Sequence, residues 1–373
     1  MTDTVRRRHP KLTAASMATV ASLAFSLTGC GGTGESTGEA AEISPVQQQL
    51  YEEAVAAGGR ASLFIGTGSN QETEQLIERF NRTFPDVSVH YISGTGNEVT
   101  ERLLTEQRSG LHNADAVLVA GMSAYRSLAG EGYLANFVPE DAQRFTQNKS
   151  TFIDGAAYSF ARIYNATCYN PNNVSPEEER LLKTYRGWTD PVWKGRAAIV
   201  NADGFGYRFG LSHWVYQDPA LGQKWLEDLA GVRPTVFNNA SAVTPQVMAG
   251  EYDVLFNTVM QYGARAYREG APLRCTTGEY APYYTSGAAL VKDAPNASAG
   301  KLFINWLFSE AGQEAVQETW SYTAMRDGFT TPVVDADWWV VPADRRATDE
   351  DIVDKNYGQL VASFAGLFGK PRR

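Results

Sequence analysis

The strongest constraint on this chain is a repeated local pattern: a short apolar run, a glycine-rich loop, then a stretch of helical spacing. Ala61-Ser62-Leu63-Phe64-Ile65 is such a run, closed by Gly66-Thr67-Gly68-Ser69-Asn70. Leu76, Ile77 and Phe80 follow on one helical face before Pro85. Residues 87–92 alternate as a second strand, and Ser93-Gly94-Thr95-Gly96-Asn97 is a second loop. Val99, Leu103 and Leu104 mark a second helix, and Ala116-Val117-Leu118-Val119 reads as a third strand. Strands alternating with helices predict an α/β fold whose parallel sheet is covered by helices. Ligands in such sheets sit beyond the carboxyl ends of the strands, where helix N-termini present unpaired N–H groups. Thr67, Ser69, Asn70 and Thr95 lie there and are candidate ligand-binding residues.

The second half repeats the pattern. Arg162-Ile163-Tyr164-Asn165 begins a strand, and Asn201-Ala202-Asp203-Gly204-Phe205-Gly206 is another strand-to-helix loop. Residues 253–256 form a strand ending at Asn257-Thr258, and a short helix is expected at 246–249. Near the end, Thr348-Asp349-Glu350-Asp351 resembles a capping box. Val353, Tyr357, Leu360, Val361, Phe364 and Leu367 keep helical spacing behind it, which predicts a docked final helix.

The first residues follow a different logic. Arg6, Arg7, Arg8 and Lys11 precede an uncharged stretch over 14–27, then Leu27-Thr28-Gly29-Cys30 and a Gly/Ser/Thr/Glu-rich stretch to Glu42. The apolar part is too short to span a bilayer, which needs roughly 20 apolar residues. The arrangement resembles the lipobox of bacterial lipoproteins. That resemblance implies lipid on Cys30, removal of residues 1–29 as a signal peptide, and a tether with a short helix (46–57) over 30–59. The paired arginines leave twin-arginine and general export both open. The net charge of −9 argues against nucleic acid as a partner. Cys168 and Cys275 meet oxidising conditions in an exported protein, so a bridge is expected, with two buried thiols as the alternative. His90, His112 and His213 have no His or Cys neighbour at metal spacing, so no metal site is expected. Enzyme motifs fail. Gln71 stands where Gly66-Thr67-Gly68 needs a third glycine, and Gly121-Met122-Ser123-Ala124-Tyr125 lacks the last glycine of a nucleophile elbow.

The order of segments resembles a periplasmic-type solute-binding protein of an ABC importer. The group includes binders of ferric ion, phosphonates, sugar phosphates, thiamine and polyamines. The match is carried by Phe64-Ile65-Gly66-Thr67-Gly68, Ala114-Asp115-Ala116-Val117, Gly132-Tyr133-Leu134 and Asp190-Pro191-Val192-Trp193-Lys194-Gly195-Arg196. Val247-Met248-Ala249-Gly250-Glu251-Tyr252-Asp253, Gly287-Ala288-Ala289-Leu290-Val291-Lys292 and Ala311-Gly312-Gln313 extend it. The resemblance implies an α/β, two-lobed periplasmic-binding-protein fold of class II type, with two crossover strands and a C-terminal helix. Lobe one would be 60–161 plus 282–373, and lobe two 162–281. The protein would be a monomer without cofactor or catalysis, lipid-anchored on the outer face of the cytoplasmic membrane. It would deliver a small polar organic solute, an acid or phosphonate with or without an amine, to an ABC permease and ATPase complex.

Tyr158, Asn201, Asp203, Tyr207, Asn257 and Tyr284 complete the candidate binding set; Tyr164 and Tyr262 also fall near the expected cleft. Asp203 would either cap the next helix or meet a ligand amine, since a carboxylate repels an anion. Iron is the alternative cargo, beside a sensing or adhesin lipoprotein. Iron binders of the group hold Fe(III) with two adjacent tyrosines, a histidine and a glutamate. Those positions fall near Thr258-Val259, Asn70 and Ala120, which supply no anionic oxygen. Tyr283-Tyr284 is either a substitute pair or hinge and cleft wall.

Overall fold

The structure is a computed structural model that describes residues 43–145, 153, 155–204 and 206–372. Cys30 and the leader lie outside the described residues. The chain starts with helix α1 (Pro45–Ala56), N-capped by Ser44 in a reciprocal box with Gln47. It continues through β1 (Arg60–Gly66), α2 (Asn70–Thr83), β2 (Ser88–Ser93), α3 (Gly96–Arg108), β3 (Ala116–Ala120) and α4 (Ser123–Gly130). The long strand β4 (Ala157–Tyr169) leads into α5 (Pro176–Leu182), β5 (Ala197–Val200), α6 (Tyr207–Ser212), α7 (Gly222–Gly231), β6 (Thr235–Phe237) and α8 (Ala240–Met248). After β7 (Val254–Val259), α9 (Gln261–Arg268) and β8 (Arg274–Thr276), strand β9 (Ala281–Leu290) returns. The chain ends with α10 (Ala297–Phe308), α11 (Glu310–Trp320), β10 (Thr323–Ala324), β11 (Arg345–Ala347) and α12 (Glu350–Phe368).

The strand path runs β2-β1-β3-β9-β4-β7-β5-β6. β1 pairs in parallel with β2 and β3, while β9 is antiparallel to both β3 and β4. In lobe two, β5 pairs in parallel with β6 and β7. β4 serves both lobes: Tyr164 is the last residue paired with β9, and Asn165 the first paired with β7. β4 and β9 are thus the two crossover strands. All five residues of β3 are buried, as expected for a parallel-type strand covered on both faces.

The two cores are built differently. Lobe one packs Leu76, Phe80, Phe303, Trp306 and Phe308 over β1 and β3. Lobe two centres on Trp188, Trp193, Trp214 and Trp225. The Asp190-to-Arg196 phrase therefore serves lobe-two packing. The indole N–H of Trp188 donates to Leu182 O at 2.7 Å, and that of Trp193 to Gly187 O at 2.8 Å, so both rings are buried with their polar atoms satisfied. Cys168 on β4 and Cys275 on β8 face each other across an antiparallel pair and are joined by a disulfide.

Three boundaries differ from the sequence reading. α1 is no part of a tether: Leu50 and Ala54 are buried in the lobe-one core. α8 starts at Ala240, ahead of Pro245, because Asn239 caps it by accepting from Ala242 N. The final helix is capped by Asp349, one residue beyond Thr348, and its later turns dock on lobe two. Leu360 and Phe364 join the tryptophan core, whereas Val353 packs in the lobe-one core and Glu350 accepts from Met122 N and Ser123 N, so α12 bridges the lobes rather than lying wholly within the expected lobe-one span 282–373.

Candidate functional site: a tyrosine-lined cleft

A cavity of about 550 Å3 lies between the lobes, beyond the carboxyl ends of β1 and β3. That volume suits a small ligand. Lobe one contributes the loops at Gly66-Thr67-Gly68 and Gly94-Thr95-Gly96, with Tyr284 and Tyr322. Lobe two contributes Tyr207, Tyr262, Gln261 and the residues around the start of α8. Glycine is required where the walls come closest. A Cβ on Gly66 would lie 2.7 Å from Gly96 Cα, and one on Gly206, at φ +90°, would lie 2.6 Å from the Tyr284 hydroxyl.

Four tyrosines converge here from four separate segments. The Tyr207 and Tyr262 hydroxyls are 3.2 Å apart. Tyr322 shares a hydrogen bond of 2.9 Å with the Thr67 hydroxyl and accepts one from Gly68 N at 3.0 Å. The Tyr284 ring stacks on Phe209 at 4.5 Å. Burial raises all four hydroxyls. Tyr322 is pushed up to about 12, and Tyr262 and Tyr284 rise well above the ordinary phenol value, with the neighbouring tyrosines adding to the effect. The cleft phenols are therefore neutral, and a bound cation would reverse that preference. No carboxylate or histidine is among the described lining residues.

Arg265 on α9 was not singled out in the sequence. Its Nε donates to Glu72 Oε1 on α2 at 2.6 Å, which joins the two lobes beside the cleft. Its guanidinium lies 5.4 Å over the Tyr262 ring. The same charge lowers the Tyr207, Tyr262 and Tyr322 hydroxyls against the larger effect of burial.

The expected binding residues divide into two groups. Thr67, Thr95, Tyr207 and Tyr284 line the cavity; the others do not. Ser69 caps α2: its hydroxyl and backbone N–H both donate to Glu72, and Glu72 N donates back. Asn70 accepts from Ser93 at 2.6 Å. Tyr158 is core, edge-on to Phe308. Asn201 accepts from Asp203 N at 3.3 Å, and the Asp203 carboxylate accepts from the Tyr357 hydroxyl of α12. Asn257 is buried at φ +53° and donates to Val200 O at 2.9 Å. Tyr283 and Tyr284 split to opposite faces of β9, as alternation in a strand requires. Tyr283 turns to Tyr164, 5.8 Å away, and so the two cannot act as a pair in the cleft. Tyr322 was missed, for it follows α11 with no local motif around it.

The model of the family described as bacterial extracellular solute-binding protein matches residues 66–314. Iron uptake protein A1 of Synechocystis sp. is 25% identical over 248 residues, covering 61% of this chain and 65% of that protein. The chain thus spans just under two thirds of that relative. Iron-bound HitA from Pseudomonas aeruginosa has a TM-score of 0.66 at 20% identity, covering 82% of this chain and 99% of that one. AfuA from Actinobacillus pleuropneumoniae, with exogenous fructose-6-phosphate bound, has a TM-score of 0.65 at 15% identity, covering 83% and 99%. These structural likenesses carry the two-lobed fold.

Proposed function

The chain belongs to the bacterial extracellular solute-binding protein family, and on that premise we propose that its cargo is ferric iron, captured with a small anion and handed to an ABC importer. The observation that carries this is the set of four tyrosine hydroxyls contributed by both lobes to one cleft. Ferric iron is a hard cation that takes anionic oxygen, and phenolate supplies it without a carboxylate or histidine. The sequence argument against iron looked for an adjacent pair at Thr258-Val259. Phenols arriving singly from Tyr207, Tyr262, Tyr284 and Tyr322 meet the same chemical need. Iron uptake protein A1 and iron-bound HitA support the reading from outside. Cys30 is the lipid attachment point in this proposal, and lobe closure over the cargo presents the face that a permease recognises.

A chelator-stripped protein titrated with ferric citrate should develop a visible phenolate-to-iron charge-transfer band, one iron per chain. Tyr284→Phe and Tyr262→Phe should each shift or bleach it. A colourless protein overturns the iron reading.

A second reading is an organic acid or phosphonate held without metal. The start of α8 favours it, since no acidic side chain lies in its first turn and Asn239 and Ser241 face the cavity. AfuA, with its sugar phosphate, is the parallel on this fold. Thermal stabilisation by a phosphonate or sugar phosphate without colour would select it. An amine on that solute loses its partner, because Asp203 is engaged with Tyr357 outside the cavity lining.

A further inference from the structure

A second cavity, of about 480 Å3, lies on the other face of the crossover strands. Alternation along β4 separates the two. Ile163 lines the tyrosine cleft, whereas Arg162 and Tyr164 line the rear cavity. The loop over residues 323–333 and the segment leading to Arg345 close its other sides.

The chemistry of this rear cavity is unbalanced. Arg162 is 8% exposed, yet it makes no ion pair with any described residue, and its buried Nε has no hydrogen-bond partner. Its guanidinium lies 5.6 Å from the Tyr283 ring and beside the Tyr164 hydroxyl. The Tyr164 hydroxyl is also buried without a partner, in a residue 2% exposed. Arg345 brings a second guanidinium with no ion pair to any described residue. Arg326 is a third, held by Asp141 and Glu310 at 3.3 and 3.4 Å. Asp327 is the one carboxylate among the described lining residues. A buried charge without a counter-charge is costly, and so is a buried hydroxyl without a partner. Both costs fall if an anion occupies the space they face. Guanidiniums bind phosphate and carboxylate oxygens in a two-pronged fashion, and a phenol adds a donor.

We propose that the cavity behind the crossover strands is a second ligand site, which takes a small oxyanion of the phosphate or polycarboxylate class on Arg162, Arg345 and Tyr164. It is separate from the cargo cleft and does not depend on which cargo that cleft holds. It sits where β4 passes from one lobe to the other, and Arg345 lies on β11, which pairs with β9, so its ligand would touch β4 directly and the second crossover strand only through β11.

The test is calorimetric titration of the iron-free, folded protein with inorganic phosphate and, separately, with citrate, using glucose as the uncharged control. At least one anion should bind at one site per chain, and Arg162→Met and Arg345→Ala should each weaken that event at least tenfold. Should Arg162→Met fail to fold, Arg345→Ala decides alone, because Arg345 is exposed and its backbone pairing survives the change. Tyr284→Phe, in the front cleft, should leave the event intact. Binding equal to wild type in the arginine variants, or loss only in Tyr284→Phe, assigns the anion to the cleft and overturns the proposal. Absence of binding by both anions also overturns it, leaving only water around the two guanidiniums.

Discussion

The two rims of the cleft use the same local device, a loop that feeds a helix, to opposite electrostatic effect. On lobe one, α2 and α3 start with reciprocal boxes: Glu72 takes the Ser69 N–H at 2.8 Å, and Glu98 takes the Thr95 N–H at 2.7 Å. The Thr95 N–H holds Glu98 below the ordinary carboxylate range, so that helix start carries a fixed negative charge. On lobe two, α8 starts with Asn239, and its first N–H donates to the Tyr207 hydroxyl at 3.2 Å. No acidic side chain stands in that turn. A helix start attracts an anion only while its own donors are free. Lobe one has already answered its donors with carboxylates, whereas lobe two has answered them with neutral groups. On the proposed reading, an anionic ligand would meet carboxylates behind the lobe-one helix starts and only neutral groups at the start of α8.

The lobes also differ in how they are held, and this gives the largest expected effect. The disulfide spans a sequence separation of 107 and ties β4 to β8 in lobe two. Replacing both cysteines by alanine should remove about 5 kcal/mol of unfolding free energy, as expected for a loop of that length. Chemical denaturation would measure it. If the lobes unfold separately, the loss should fall on the transition reported by the lobe-two tryptophans. A loss shared equally with lobe one would show that the lobes unfold as one unit.

Acid should separate the lobes next. Burial holds His213, in the lobe-two core, down at about 4, with Asp218 opposing and Arg346 reinforcing that shift. The folded state resists protonation while the unfolded chain takes a proton near pH 6.5. Its contribution is complete above pH 6.5 and is lost as pH falls from 6.5 to 4, amounting to about 3 kcal/mol. The difference between wild-type and His213→Gln stability curves should have this slope and window. Parallel curves would remove His213 as a cause of acid sensitivity.

Cargo binding tests the comparison directly. Tyr262→Phe on lobe two and Tyr284→Phe at the crossover should each reduce ferric affinity by roughly a hundredfold, near the upper end of losses at metal sites. Thr67→Val, which only releases one hydrogen bond to Tyr322, should cost about 1 kcal/mol. An equal loss from Thr67→Val would return the lobe-one loop to a direct binding role.

What could be read from the sequence follows from the range of the interactions. β1 and β3 announce themselves because burial on both faces demands an unbroken apolar run, and the loops after them are marked by glycine. Tyr207 and Tyr284 were found because each adjoins a readable strand or loop. Tyr322 was not, since its place beside Thr67 depends on a contact across 255 residues. The phrase around Trp193 could be read as a mark of resemblance but not as the core that it forms with Trp188, because indole N–H groups find backbone carbonyls only in three dimensions. Helix α12 shows helical spacing, but spacing cannot say which lobe receives Leu360 and Phe364. Ser69 and Thr95 are the instructive pair. The Ser-x-x-Glu and Thr-x-x-Glu spacings were visible, and they indicate donors already satisfied rather than donors on offer.

That last point gives the smallest and sharpest prediction. Ser69→Ala removes a cap, and caps are worth about 1 kcal/mol, so the melting temperature should fall by a few degrees. Cargo affinity should stay within twofold, because the Ser69 hydroxyl is 2.8 Å from Glu72 Oε2 and is not part of the cleft lining. Asn239→Ala at the opposite rim removes a cap of similar worth, with Oδ1 accepting from Ala242 N at 2.9 Å. Its stability cost should therefore match. Its effect on binding should not: Asn239 lines the cavity, and loss of its amide should weaken an anion at the α8 start by about 1 kcal/mol. Two caps, equal in stability and unequal in binding, would separate scaffold from site. Equal binding losses in both variants would mean that the lobe-one helix start does reach the ligand once the lobes close, and the rims would then have to be treated as one surface.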